Sequence, residues 1–429
     1  MWKKIKSIRN PFILFLPFLL LYILFVLFMY STENSGDQSR YMGFVDNLLK
    51  GYYSPPPPLI DLTNGPGYPL FLLPFAALHI PKLFVVLINA GLHYLSIIFV
   101  FKSLIQFASF RKTFILSLFW ACYFNAYQNM AALTTETITI FLIALLMYSI
   151  TKAFGKPDFK GAWKFIILAG FVFGYIVLTK VIFAYIVLVM LIGCIILWLF
   201  KRNSVNYRKA VIILVIAFTT FSPYLFYTYS LTGKVFYLSS ASDALYWMSS
   251  PYNGEYGDWK GDLEQNPVDL GNYNIPGASD SLIAHHKKNF DEIYKLEGAL
   301  KQSEMFESIA IENIKKRPLK YAQNVFYNLG RIFFHYPFSY AIQRPKSLFA
   351  MPLNGIILTF ILLCIFPTII YWKKLLFQLK FLLFIAFIYL GISSLLSAET
   401  RMLTMVVPIL IFWFGYIIQK TIKLNVKNW

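Results

Sequence analysis

Five ionisable side chains are of types that could serve displacement chemistry at a phosphate ester: Asp37, Glu136, Lys180, Arg331 and Arg401. A carboxylate can take the proton from an attacking hydroxyl. Guanidinium and ammonium groups can grip phosphate oxygens and stabilise the charge of a departing phosphate. Asp37 leads the set. It lies in Gly36-Asp37-Gln38-Ser39-Arg40-Tyr41, one short step beyond the first apolar segment, and the chain returns through Pro55 to Pro58 and Asn64-Gly65-Pro66-Gly67-Tyr68-Pro69. Such an arrangement is expected where a hydroxyl meets a lipid-borne group at a membrane face. The competing reading is an ordinary loop acid beside Glu33.

Glu136 follows Leu133-Thr134-Thr135, where either threonine could cap a helix and a carboxylate suits the positive end of its dipole. Capping competes with holding an acceptor or orienting Arg40. Lys180 stands in Leu178-Thr179-Lys180, Arg331 precedes His335-Tyr336-Pro337, and Arg401 ends Ala398-Glu399-Thr400-Arg401. Simple snorkelling of Lys180 to the interface and a local pair of Arg401 with Glu399 are the alternatives.

Membrane helices must position these groups. A hydrophobic fraction of 58%, a mean hydropathy of +0.59 and 14% charged residues are too apolar for a soluble chain of 429 residues. Apolar runs at about 11–30, 83–101, 113–127, 137–153, 165–179, 181–200, 210–231, 351–372, 381–397 and 402–419 give about ten spans. The first follows Lys3, Lys4, Lys6 and Arg9 without a small-residue cleavage site, which reads as an uncleaved anchor with a cytoplasmic amino terminus. Alternating the spans from there puts the short basic loops and the Lys420, Lys423 and Lys427 tail inside, and every carboxylate except Asp158 outside. The positive-inside rule does not count acids, so their segregation is a partly independent check. The net charge of +19 is then explained by anionic headgroups rather than nucleic acid.

The expected fold is an all-α polytopic membrane protein with an extracytoplasmic insert at 232–350, between a module at 1–231 and terminal spans at 351–429. The first outer loop, 31–80, carries Asp37. The insert opens with many turn residues; from Ser303 onward apolar positions recur at helical spacing, interrupted by Pro318. Two amphipathic helices are predicted, either lying on the membrane or packed against the bundle.

Cys122, Cys194 and Cys364 all fall in spans, so no disulfide framework or thiolate metal site can be argued. His285-His286, beside Lys287 and Lys288, reads as a solvated pair. No Gly-rich phosphate loop, nucleophile elbow or HExxH occurs, which removes soluble-type kinase and hydrolase chemistry. The lack of visible internal repeats and of mid-membrane ionisable residues weighs against an ion-coupled carrier.

The succession of Gly36-Asp37-x-x-Arg40-Tyr41, Pro66-Gly67-Tyr68-Pro69, Thr135-Glu136, Leu178-Thr179-Lys180, Asn253-x-x-x-Gly257-Asp258-Trp259, Ala310-x-x-x-Ile314-x-x-x-Pro318 and Glu399-x-Arg401 resembles the GT-C glycosyltransferases. The branch it is most similar to is that of bacterial dolichyl-phosphate-mannose-protein mannosyltransferase-like proteins, including lipid A aminoarabinose transferases. The resemblance implies a hexosyl or pentosyl transfer from a polyprenyl-monophosphate sugar to a glycan, lipid or protein acceptor, usually with inversion, at the outer face of the cytoplasmic (inner) membrane. It implies a catalytic role for Asp37, the second-loop acid role for Glu136, and contacts to substrate or lipid phosphate for Arg40, Tyr41, Tyr68, Lys180, Arg331 and Arg401. Many relatives carry a second acid after the first-loop Asp and a Tyr after the last Arg; here Gln38 and Met402 stand there. The missing acid predicts a mechanism without a metal or other cofactor. A ligase or polymerase using a lipid-pyrophosphate donor, for which Arg331 and His335 would serve, and a flippase for a lipid-linked sugar are the alternatives.

The charge segregation predicts that a single cysteine at position 265, in a cysteine-free background, reacts with an impermeant thiol reagent in intact cells. Reaction only after membrane disruption would reverse the orientation.

Overall fold

The computed structural model describes residues 10–34, 36–200, 204–261, 278–340 and 345–421. The amino-terminal basic cluster, position 265, the turn residues from Asn266 to Gly277, and Lys423 and Lys427 lie outside these residues. Apolar sequence dictates the first half: α1 (Pro11–Leu14), α2 (Leu16–Met29), α3 (Asp37–Leu49), α4 (Gly67–Ala77), α5 (Lys82–Leu104), α6 (Phe110–Ala121), α7 (Phe124–Tyr127), α8 (Thr135–Phe154), α9 (Trp163–Thr179), α10 (Phe183–Phe200) and α11 (Val205–Thr232). The second half holds α12 (Asp243–Met248), α13 (Ala278–Ile293), α14 (Ala299–Lys316), α15 (Pro318–Phe334), α16 (Pro345–Ile370), α17 (Phe377–Ser394) and α18 (Thr400–Thr421). No strand occurs among the described residues.

Every expected apolar run forms helix, but the expected count of about ten spans divides. Among the described residues seven helices, α5, α8, α10, α11, the 351–370 part of α16, α17 and α18, are long and apolar enough to cross a membrane. The runs at 11–30, 113–127 and 165–179 give shorter helices. Pro17, lacking an N–H and crowding the preceding turn, separates α1 from α2 at Phe15. Cys122 and Tyr123 interrupt the second run, and α9 with 17 residues spans about 26 Å. The chain is a multi-pass helical membrane protein.

The bundle centres on α8 and α18, whose candidate spans are the most buried of the seven, at 78% each. α8 packs against α5, α9, α17 and α18, while α18 also touches α16. α9 and α11 approach closely because Gly170 and Gly174, four residues apart, offer no side chain to α11. A Cβ on Gly170 would stand 2.6 Å from Ile216 Cγ2. Lys209 on α11 donates to the carbonyls of Ala153 and Lys156 at 3.1 and 2.6 Å, closing the carboxyl end of α8 with a cation.

The stretch between α2 and α4 is held from two directions. Ser240, after α11, exchanges hydrogen bonds with Leu62: its N–H donates to Leu62 O at 3.0 Å and its Oγ accepts from Leu62 N at 3.1 Å. Tyr175 of α9 donates to Gly67 O at 2.8 Å. Gly65 and Gly67 lie flat on the backbone of Leu178 and Thr179, immediately before Lys180. A methyl on Gly67 would sit 2.6 Å from Thr179 N, and backbone cannot swing aside as a flexible side chain can.

Gly67→Ala is therefore expected to lower stability by about 1–3 kcal/mol, measured as a reduced thermal midpoint in detergent. An unchanged midpoint would show that the loop does not bear on α9 as described.

Candidate functional site

The charged residues singled out in the sequence occupy helix ends on one side of the bundle. Asp37 opens α3, Glu136 is the second residue of α8, Lys180 caps the carboxyl end of α9, and Arg401 is the second residue of α18. Gly36 makes the turn into α3 at φ 53° and ψ −122°, a conformation that only glycine adopts freely. Asp37 thereby faces the positive end of its own helix dipole. Thr134 holds the N-cap position of α8 without a capping hydrogen bond, so the α8 terminus does not consume a threonine side chain there.

Arg401 joins the two carboxylates. Its Nη1 lies 2.9 Å from Asp37 Oδ2 and 3.7 Å from Glu136 Oε1, and its Nε lies 3.7 Å from Glu399 Oε2. Arg40 Nη2 takes the other oxygen of Asp37 at 2.5 Å, and Lys180 Nζ stands 3.3 Å from Glu136 Oε1. The side chain of Glu136 is only 6% exposed, whereas those of Asp37 and Arg401 are 28% and 37% exposed. The open side of the cluster is thus the side of Asp37 and Arg401. Burial presses the Asp37 carboxyl upward, but the nearby Arg401 and Arg40 outweigh it and hold the group below the ordinary aspartate value.

Tyr41 and Tyr68 form the apolar wall beside this cluster, edge to face at 5.0 Å between ring centres. Both rings are buried, and the Tyr68 hydroxyl has no hydrogen-bond partner among the described residues.

Gln38 has a function that its reading as a missing acid did not reveal. Its Oε1 accepts from Leu133 N at 3.1 Å, fastening the start of α3 to the turn that leads into Glu136. Asp37 and Glu136 are thereby held in one frame. No group of three His, Cys, Asp or Glu residues able to hold a metal occurs among the described residues.

Arg331 takes a different place. It is fully buried on α15, donating to Tyr256 O at 2.8 Å, Pro337 O at 3.2 Å and Asn328 Oδ1 at 3.0 Å. Asp258 and Glu399 are the carboxylates whose fields reach it. It therefore stands behind the Glu399–Arg401 loop rather than in the Asp37–Glu136 cluster. Asn328 fixes that loop: its Nδ2 donates to Ser394 O at 3.0 Å and also to the carbonyls of Ser393 and Leu396, and its Oδ1 accepts from Ala398 N at 3.0 Å. Trp259 N donates to Ser397 Oγ at 2.7 Å from the opposite side.

The reading of His285 and His286 as a solvated pair is corrected by the insert. His286 is buried, with Nε2 2.8 Å from Glu255 Oε2 and Nδ1 2.7 Å from the Tyr246 hydroxyl. His285 Nδ1 lies 2.8 Å from Glu255 Oε1 and its ring stacks on Tyr252. Burial raises the Glu255 carboxyl, yet its bond to His286 and the charge there, with Ser250 and His285, bring it down to about 2. Glu255 thus ties α13 to the loop that follows α12, a link between positions 30 residues apart that no local pattern announces.

No protein-family model and no curated protein matches the sequence. Among solved structures, the chain is similar to the archaeal oligosaccharyltransferase AglB from Archaeoglobus fulgidus, with a TM-score of 0.50 and 14% identity, over 94% of this chain and 50% of that one. It spans half the length of that enzyme. Matches to ArnT from Cupriavidus metallidurans, bound to undecaprenyl phosphate and in the apo state, have TM-scores of 0.41 at 12% and 10% identity, over 94% of this chain and 77% and 76% of those. The chain has a polytopic helical fold like that of AglB.

Proposed function

We propose that this chain transfers a sugar from a polyprenyl-monophosphate donor to a hydroxyl-bearing acceptor at the outer face of the cytoplasmic membrane. Within the GT-C fold we place it nearest the dolichyl-phosphate-mannose-protein mannosyltransferase-like and lipid A aminoarabinose transferase-like branch. The observation that carries the reading is Arg401 held between Asp37 and Glu136, with Lys180 on the second acid, at helix ends on one side of a membrane bundle. The oligosaccharyltransferase whose fold it shares was solved with an inhibitory peptide and a dolichol-phosphate. A lipid phosphate is the donor class proposed here.

In the proposed reaction the acceptor oxygen bonds to the anomeric carbon while its proton passes to Asp37. The bond from that carbon to the phosphate oxygen breaks, and the lipid phosphate leaves with the electron pair. Arg401 and Lys180 neutralise its charge, with Arg40 at the approach and the buried Tyr41 and Tyr68 packed behind the cluster. Glu136 keeps both cations in place in the empty site. Arg331 supports the grip from behind through the Glu399 loop. No metal is assigned a role, since Gln38 stands where a second acid would be.

Asp37→Asn is expected to slow transfer 10²- to 10⁴-fold, as for loss of an acid–base group, with donor binding kept. Arg401→Gln should weaken donor binding and transfer together. Reconstituted assays with monophosphate and pyrophosphate donors read both, on variants shown to be monodisperse in detergent. Near wild-type turnover of Asp37→Asn would remove it from the mechanism, and exclusive use of the pyrophosphate donor would replace the reading with the ligase one.

The same pairing sets a pH dependence. In the free protein Arg401 and Arg40 depress Asp37, so its ionised form persists below the ordinary aspartate range. A donor phosphate on Arg401 weakens that hold and raises Asp37 toward, or above, its ordinary value. The acid limb of kcat, which reports the complex, is therefore expected at higher pH than that of kcat/KM, which reports the free enzyme. Coincident limbs would show that the phosphate does not compete for Arg401.

A further inference from the structure

We infer that α15 is an in-plane membrane helix, with one face seated in the lipid interface and the other holding the loop of Arg401. The inference rests on the multi-pass fold and stands apart from the proposed transfer.

The polarity of α15 is inverted with respect to a helix on a water-facing surface. Its buried side carries Asn324, Asn328 and Arg331, all fully buried, with Ile332. Its outward side carries Leu319 at 85%, Phe326 at 72% and Leu329 at 40% exposed, with exposed Ala322 between them. These positions recur at three-, four- and seven-residue spacings and so form one stripe along the helix. A globular surface helix in water would turn this apolar stripe inward and its amides outward. The arrangement is the one expected where the outer medium is hydrocarbon.

The level of α15 in the bundle agrees. Its buried amides bind the loop between α17 and α18, at the ends of two candidate spans, and Asn354 near the start of the 351–370 span donates to Phe333 O at its carboxyl end at 2.5 Å. The helix packs on α16, α17 and α18 together. It therefore runs across the mouths of the last three spans, where the interface must lie. Charge agrees as well: α15 contains no Asp or Glu, and Lys315, Lys316 and Arg317 directly precede it, all three exposed. A basic, acid-free amphipathic helix is attracted to anionic headgroups.

The occupant we assign to the stripe is the bilayer interface itself, and depth measurement tests it. Full-length Leu319→Cys and Phe326→Cys, in a Cys122→Ser, Cys194→Ala, Cys364→Ala background, are labelled with an environment-sensitive fluorophore in nanodiscs containing anionic lipid. Lys287→Cys, at a residue whose side chain is 64% exposed in the charged α13, is the aqueous control. Lipid brominated on the acyl chain near the headgroup is expected to quench the labels at 319 and 326 roughly threefold or more over aqueous iodide, with the reverse at 287. Stronger iodide quenching at both stripe positions would overturn the inference by showing a water-facing surface. Protection from both quenchers, with two copies per disc, would overturn it in favour of a second copy of the chain. Should the Phe326 variant fail to stay monodisperse, Leu319, the more exposed of the two, decides the outcome.

Discussion

The ion pair between Arg401 and Asp37 joins residues 364 positions apart, and one end of the bundle is arranged around it. A guanidinium at the mouth of an apolar helix bundle and a carboxylate as enclosed as Glu136 would each be costly alone. Placed together they offset one another. Breaking such a pair by removing one partner typically costs about 3–5 kcal/mol where it is buried, and less where water reaches it. The half-open setting of Asp37 and Arg401 lies between those limits. The cluster thus combines paired charges with a side that water reaches at Asp37 and Arg401.

Bringing four helix ends together requires that the loops be fixed. The devices are mostly backbone contacts and amides rather than further charges. Gly65 and Gly67 let the returning first loop lie against Leu178 and Thr179, so the position of Lys180 depends on that of the loop carrying Asp37. Gln38 binds the turn before Glu136, and Asn328 binds the turn before Arg401. Neutral amides suit this task, because they donate and accept without adding charge to a site whose charges must remain balanced.

Much of the fold was legible because lipid imposes a simple rule. Segments that cross it are apolar and helical, and each apolar run in the sequence became helix. Pro318 marked the boundary between α14 and α15 correctly because a residue without an N–H fits the first helical position and not the interior. Asp37, Glu136, Lys180 and Arg401 were legible as a set since all four stand at, or one short step beyond, the ends of apolar runs on one side. What remained hidden depends on distant partners. The burial of His286 requires Glu255 from another loop, the role of Gln38 requires Leu133 from another turn, and Arg331 was drawn to carbonyls of Tyr256 and Pro337 that no spacing reveals. For α15, periodicity gave the amphipathic stripe but not its direction, which is settled only by seeing the amides face inward.

The charge count at the site constrains how a phosphate could enter it. Asp37, Glu136 and Glu399 face Arg40, Lys180 and Arg401, three acids against three cations, so the cluster is balanced. In the proposed reaction an incoming phosphate would compete with the carboxylates for these cations. Lys180 is held by the more enclosed acid, and Arg40 lies within one turn of Asp37 on the same helix. Arg401 is the cation that can be shared. It touches three carboxylates at once and offers several N–H groups in a planar fork. Moving its contact from Asp37 to a phosphate oxygen would leave Glu136 and Glu399 to hold the guanidinium, and would free one oxygen of Asp37 for the acceptor hydroxyl. In the proposed transfer, donor capture and activation of the base would then be one event, produced by a single guanidinium exchanging one anionic partner for another.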